Sequence, residues 1–347
     1  MNELLLTEKR LIGDLLFDKF INSVFGYPEQ KLQLQQWLTQ LKTNKQLNNV
    51  SNGHPYYSLC KTSQTLPAWA DPKLMQQGVE FFARHTEAIL NLLGLLSLPY
   101  CYAAANGAMV LYFSERMRSD VEKRLYETAE FVWDVMAPDA FAVEGSGFAA
   151  ILKVRLMHSV VRYYTLKSKR WDEAWGFPIN QEDLAGTNLS FSLITIRGLR
   201  KFGCTISYQE QSAYIHSWNV VGYLLGVNEV LLPHNGKAAT VLENDIRLRQ
   251  FNPSEQGYTL TASLIAYFCK ANDGDTYTNA DIYQLMHYLL GSEIAKLLGI
   301  KGGKLLEGKV RLLHLRNSIK ELTLSGNSRQ LYGQAFSRFK RTKPYSS

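Results

Sequence analysis

Apolar residues recur at three- and four-residue spacing through most of the chain, and nowhere do they alternate with polar ones over the length of a strand. This periodicity predicts helices over about 8–25 and 28–45, parted at Tyr27-Pro28, where the residue before proline is biased out of the helical region. The stretch from Asn48 to Pro67, rich in Asn, Ser, Gly and Pro, reads as a loop. Asp71 then precedes Pro72, a capping carboxylate followed by a proline at the first helical position, and opens a helix to about Leu93. Further helices are predicted over about 120–137 with Asp120 as cap, 147–168, and 180–202 with Asn180 as cap. Another covers about 207–227, where Ser207 and Glu210 have capping-box spacing. The pattern stays helical over about 238–251, 255–271, 279–290, 292–299 and 305–323.

From Ile89 to Ser114 there is no charged residue for 26 positions, which is long enough for a membrane span. Gly94, Pro99, Gly107, Asn91 and Asn106 interrupt the run, and a break exposed to lipid would strand backbone polar groups. The stretch is therefore expected to be two buried helices of a large core, parted at Ser97-Leu98-Pro99. No composition break marks a linker, so residues 1–347 are expected to form one all-α domain. The segment from Arg329 to Ser347 is basic, with Tyr332, Phe336 and Phe339 interleaved; it reads as a mobile terminus, with peripheral membrane contact as the functional alternative.

Composition narrows the classes. A hydrophobic share of 46% over 347 residues suits a well-packed globular protein and excludes a disordered one. The net charge of +7 is spread among acidic residues, so it reads as a solvated surface rather than a nucleic-acid footprint. The four cysteines, Cys60, Cys101, Cys204 and Cys269, lie far apart and read as free thiols of a reducing compartment. The amino terminus carries acids where an export signal needs bases, which predicts a cytoplasmic protein. No GxSxG, HExxH or GxGxxG occurs, and Lys301-Gly302-Gly303-Lys304 reads as a turn rather than a phosphate loop. His216 and Trp218 read as packing residues.

The stretch RLMHSVVR at 155–162 carries the chemistry. At 100° per residue Arg155, His158 and Arg162 share one helix face. Two fixed cations beside an imidazole disfavour its protonation, leaving a lone pair for a metal. Such a face suits an anionic, planar, iron-centred cofactor, with the histidine on the iron and an arginine near its carboxylates. In the helix opened by Asp120, Arg124, Glu127 and Thr128 also share a face. Gly186 permits close approach by a backbone or a flat ligand.

RLMHSVVR at 155–162, PINQEDLAGT at 178–187, WNVVG at 218–222 followed by LGV at 225–227, LPAWADP at 66–72 and SLPYCYAAANGA at 97–108 occur together. In this combination the chain resembles the rubber oxygenase family, which includes latex clearing protein and a fungal oxygenase of mycophenolic acid biosynthesis. The resemblance covers roughly Leu66 to Pro233. It implies a globin-like helical core that binds haem b, and a reaction in which O2 cleaves a carbon–carbon double bond of an isoprenoid chain. It further implies that His158 is the iron ligand, that Arg155, Arg162 and Thr187 belong with it to the cofactor site, and that Arg124, Glu127 and Thr128 stand on the distal side. Glu127 occupies the place of a lysine in latex clearing protein; in an apolar pocket its carboxyl would be pushed up and could donate a proton. The expected partners are O2 and a small apolar isoprenoid or lipid, the alternatives being a haem sensor or carrier, or a cofactor-free membrane-surface protein.

Overall fold

The first predicted helix is two helices, α1 (Glu3–Lys9) and α2 (Leu15–Phe25). The carboxylate of Asp14 accepts the Phe17 amide at 3.4 Å and so restarts the chain as α2. α3 (Pro28–Gln40) begins at the expected proline, while α4 (Asn44–Asn48) and α5 (Tyr57–Ser63) are short turns of helix at and beyond the start of the expected loop. α6 (Pro72–Leu92) is capped as its sequence predicts, Asp71 accepting the amides of Lys73 and Leu74 at 2.8 and 3.2 Å. This computed structural model describes residues 3–113, 120–271, 278–302 and 327–341.

The uncharged run does not part at Pro99. α6 passes through a π turn, Leu93–Ser97, into α7 (Leu98–Tyr102), and the chain turns at Ala103 before α8 (Ala105–Phe113). The wider turn accommodates a proline that has no amide to donate. Ile89, Leu92, Leu93, Leu96, Tyr100 and Tyr102 of this run are buried. No helix among the described residues is long and apolar enough to cross a membrane.

α9 (Val121–Val135) opens on Asp120, and α10 (Gly147–Lys167) carries His158. α11 (Gln181–Leu189), capped by Asn180, runs through a second π turn, Ser190–Ile194, into α12 (Thr195–Lys201). α13 (Tyr208–Leu224) opens with the Ser207–Glu210 capping box. α14 (Gly236–Gln250), α15 (Glu255–Ala271), α16 (Asn279–Leu290) and α17 (Ser292–Leu297) follow. The helix expected over about 305–323 lies outside the described residues. Among the described residues there is an isolated bridge, Ala104 with Phe251, and no strand, so the fold is all-α.

α6 packs along α13, and α10 packs against α2 on one side and α9 on another. Gly78 makes the first contact possible: a Cβ there would stand 2.0 Å from Ser217 Oγ and 2.9 Å from the Ala213 carbonyl. Trp218 is core, and His216 accepts the Asp71 amide at 2.9 Å, so both are packing residues as expected.

The basic terminal segment differs from expectation. Ser328–Lys340 forms α18, which lies on α6. The Tyr332 hydroxyl donates to the Trp133 carbonyl at 2.8 Å, the Trp133 ring meets those of Tyr332, Phe336 and Phe339, and Phe339 stacks on Tyr126 at 4.8 Å. The interleaved aromatics supply enough apolar area to dock the helix, and the bases stay at its rim.

Gly78→Val is expected to force α6 and α13 apart and to cost about 1–3 kcal/mol, the range for overpacking. A lowered denaturant midpoint at unchanged slope checks this.

Candidate functional site

His158 sits mid-way along α10 between buried Leu156 and Ser159. The residue keeps some accessible surface yet is densely enclosed by surrounding atoms. Burial, with the Arg162 charge adding to it, pushes the imidazole down to about 3, so the ring is neutral at physiological pH. The direction is the one predicted from the flanking cations, but loss of water is the larger cause. No described residue hydrogen-bonds to the ring, so its lone pair is available to a metal.

The two flanking arginines are engaged within the chain. Arg155 Nε lies 2.5 Å from Asp14 Oδ2 and its Nη2 3.2 Å from Oδ1, while its guanidinium covers the Phe17 ring at 4.1 Å. Arg162 Nε lies 2.7 Å from Asp18 Oδ1, and its Nη2 donates to Ser159 Oγ at 2.8 Å. The expectation that one of them meets cofactor carboxylates gives way to aspartates of α2, which the sequence reading passed over. Their signal was present: Asp14 and Asp18 are one helical turn apart in an otherwise apolar segment.

The PINQEDLAGT stretch is chiefly a clamp. Glu182, wholly buried, meets Arg10 at 3.3 Å, Arg249 at 2.8 Å and Gln250 at 3.0 Å. Asp183 meets Arg10 at 3.0 Å; burial raises its carboxyl, and Arg10 opposes that rise. Gln181 donates to the carbonyls of Gly13 and Gly226, each at 2.9 Å. Thr187, assigned to the cofactor, is exposed and donates to the Asp183 carbonyl at 2.9 Å. Gly186 has Ile246 Cγ2 3.5 Å from its Cβ position, an ordinary contact, so no close backbone approach requires the glycine.

On α9, which packs on α10, Arg124 is buried and its Nη2 donates to the Tyr102 hydroxyl, with its guanidinium 5.4 Å from that ring. Burial pushes the Tyr102 phenol up to about 12 against the pull of Arg124, so it keeps its proton. Tyr102 lies in the SLPYCYAAANGA stretch, but nothing in its spacing distinguishes it from core. Thr128 is half-buried and donates to the Arg124 carbonyl at 2.8 Å. Glu127 shares the helix face of Arg124 but is exposed rather than enclosed in an apolar pocket, so it lies on the solvent edge of that face.

A cavity of about 370 Å³ lies elsewhere, lined by Leu96, Tyr100, Arg197, Glu243, Arg247 and Leu289 among others, and includes none of these residues. Two ion pairs line it, Arg197 with Glu243 at 2.7 Å and Arg247 with Glu293 at 2.9 Å.

Fold and site together define an all-helical domain in which an enclosed, neutral imidazole lies on a helix braced by buried charge pairs, and the neighbouring helix α9 carries a buried arginine held by a phenol. Residues 85–316 match the family model of the ER-bound oxygenase mpaB/B'/rubber oxygenase catalytic domain, and the chain belongs to that family. A rubber oxygenase of Streptomyces sp. (strain K30) is 25% identical over 248 residues, 71% of this chain and 60% of the relative. The matched region thus spans less than two thirds of that relative's length. The solved structure of latex clearing protein in the closed state has the same fold, with a TM-score of 0.80 at 22% identity over 98% of this chain and 92% of that one.

The depressed His158 pKa makes a prediction about stability. The unfolded chain takes up a proton on this histidine below about pH 6.5, whereas the folded chain resists protonation down to about 3. Stability of the apoprotein should therefore fall as pH drops through that window. His158→Gln should flatten the fall, read from urea midpoints at pH 7 and pH 4.5; equal slopes would show that the ring protonates freely in the folded state.

Proposed function

We propose that this chain is a haem b-dependent oxygenase that cleaves a carbon–carbon double bond of an isoprenoid or similar apolar chain with O2. The observation that carries the reading is the His158 imidazole, neutral, enclosed and without a hydrogen-bond partner among the described residues. The described residues contain no cluster of three His, Cys, Asp or Glu able to hold a bare ion. A lone imidazole instead suits an iron whose other ligands come from a macrocycle. Membership of an oxygenase family supports the same reading.

His158 would hold the iron through its neutral nitrogen. Bound there, iron protoporphyrin would supply the one-electron chemistry that lets O2 react with an alkene. The rest falls to the chain's own groups. Arg124, fixed by Tyr102, is assigned to place a permanent positive charge and N–H donors on the distal side, where they would stabilise developing negative charge on oxygen. Tyr102, still protonated, can pass its own O–H onward as a second donor. The Thr128 hydroxyl gives its proton to the Arg124 carbonyl and keeps its lone pairs as an acceptor. Glu127, open to water, is assigned to exchange protons between solvent and this side, not to act from a sealed pocket. The part of the expected cofactor site that Arg155 and Arg162 would have supplied, salt links to propionates, does not fit them as they stand, because each is closed by an aspartate. The net reaction balances as one C=C and one O2 giving two C=O groups, with no external electrons consumed.

Purified protein reconstituted with haemin should show an intense Soret band that His158→Ala weakens or abolishes. With a polyprenyl lipid under labelled O2, each carbonyl fragment should carry one labelled atom; haem-loaded protein that consumes no O2 with any such lipid would make it a carrier or sensor. Arg124→Met should lower turnover by about a hundredfold, the usual loss of an electrostatic donor. Glu127→Gln should lower it by less than about tenfold and leave the Soret band in place, as measured by O2 uptake and absorption.

A further inference from the structure

Both arginines that flank His158 are closed by carboxylates from one short stretch of chain upstream of residues 85–316. Asp14 takes Arg155, three residues before the histidine, and Asp18 takes Arg162, four residues after it. The two pairs therefore grip α10 one turn to either side of the imidazole, on the face from which it projects. Neither carboxylate is free to wander. Asp14 caps α2, and its own amide donates to Asp18 Oδ2 at 3.0 Å, which makes the two aspartates a single unit. The arginines reach beyond them: Arg155 Nη1 to the Leu224 carbonyl and Arg162 Nη1 to the Ile179 carbonyl, each at 3.2 Å. The side chains of both pairs are at most 17% exposed. Gly226, at φ +87, leaves no room beside this unit, since a Cβ there would lie 2.8 Å from Arg155 Nε and 2.9 Å from Asp14 Oδ2.

An arginine at either end of such a grip stops α10 from rotating about its axis or sliding along α2. The control matters because side chains project about 5–6 Å from a helix axis. A rotation of roughly ten degrees would thus swing the imidazole by about 1 Å, a displacement large enough to spoil a coordination bond or a reacting geometry.

We propose that Asp14 and Asp18 are positioning residues for His158, acting through Arg155 and Arg162 to fix the rotation of α10 and with it the direction in which the imidazole presents its lone pair. This rests on the reading of His158 as the ligand of haem iron. It assigns to the amino-terminal segment a part in the cofactor site rather than a packing role alone, and it explains why two guanidinium groups next to a cofactor ligand are neutralised within the chain. Second-sphere groups of this kind typically change metal affinity by about 10- to 100-fold when removed.

The test uses the full chain reconstituted with haemin, with Asp14→Asn, Asp18→Asn, Asp18→Glu, Gly226→Ala and His158→Ala. Three quantities are read: the iron–histidine stretching band of the ferrous form by resonance Raman, the rate of haemin transfer to excess apomyoglobin, and the melting midpoint of the apoprotein. Both Asn variants should bind haemin in equal stoichiometry, shift or broaden the iron–histidine band, and release haemin about tenfold faster or more. Asp18→Glu, which restores the charge, should recover the release rate to within about threefold of wild type. Wild-type band position and release rate in both Asn variants would overturn the proposal, even if their apoproteins melt early. Should either Asn variant fail to fold, Gly226→Ala decides: it displaces the Asp14–Arg155 pair without removing a charge, and an unshifted band would overturn the proposal. The two readings fail separately. If His158→Ala keeps the wild-type Soret band unchanged, or wild type never acquires one, the haem assignment falls and this proposal with it; if His158→Ala weakens or loses the band while the aspartate variants match wild type, only this proposal falls.

Discussion

Buried carboxylates facing buried guanidinium groups are the constraint on which this fold turns. Within nine residues Arg10, Asp14 and Asp18 each meet an opposite charge from far along the chain: Glu182 and Asp183, Arg155, and Arg162. Taking such groups out of water is costly, and leaving one of a pair behind costs about 3–5 kcal/mol. The pairs therefore form together or not at all. Their value lies less in net stability than in register, because a helix slipped by one residue would strand several charges at once. The strained backbone at Ile179, φ +50 for a β-branched residue, persists between the Asn180 cap and the Arg162 guanidinium that holds its carbonyl.

The same lattice sets the character of the site. On the side of α10 that faces α2, charge is neutralised locally, and the imidazole stays neutral because it is cut off from water more than because cations repel its proton. On α9, the buried Arg124 donates to the Tyr102 phenol, a partner that helps fix its direction. Carboxylates thus hold the arginines on either side of the histidine, and a phenol is among the partners of Arg124.

How much of this could be read along the chain depended on whether the determining contact was local. Caps at Asp71, Asp120, Asn180 and Ser207 were legible, since each acts on amides two or three residues away. The break expected at Pro99 is absent because a π turn absorbs it, and that turn is held to the second one by the Ser97 hydroxyl donating to the Ser190 carbonyl. The terminal aromatics were visible, but their partner Trp133 lies about two hundred residues back, and so a docked helix read as a mobile tail. Glu127 was placed correctly on its helix, yet whether that face meets an enclosed pocket or water is not a property of the helix.

By itself the sequence determined the helical class, most helix starts, and the face of α10 that carries Arg155, His158 and Arg162, because 3.6-residue periodicity and capping are short-range effects written in neighbouring residues. Only the tertiary structure decided what those side chains meet. The two arginines bind aspartates more than one hundred and forty residues away. Whether a guanidinium closes on a carboxylate or stays open to a ligand is settled by which helices desolvate it together, and a one-dimensional pattern holds no record of that.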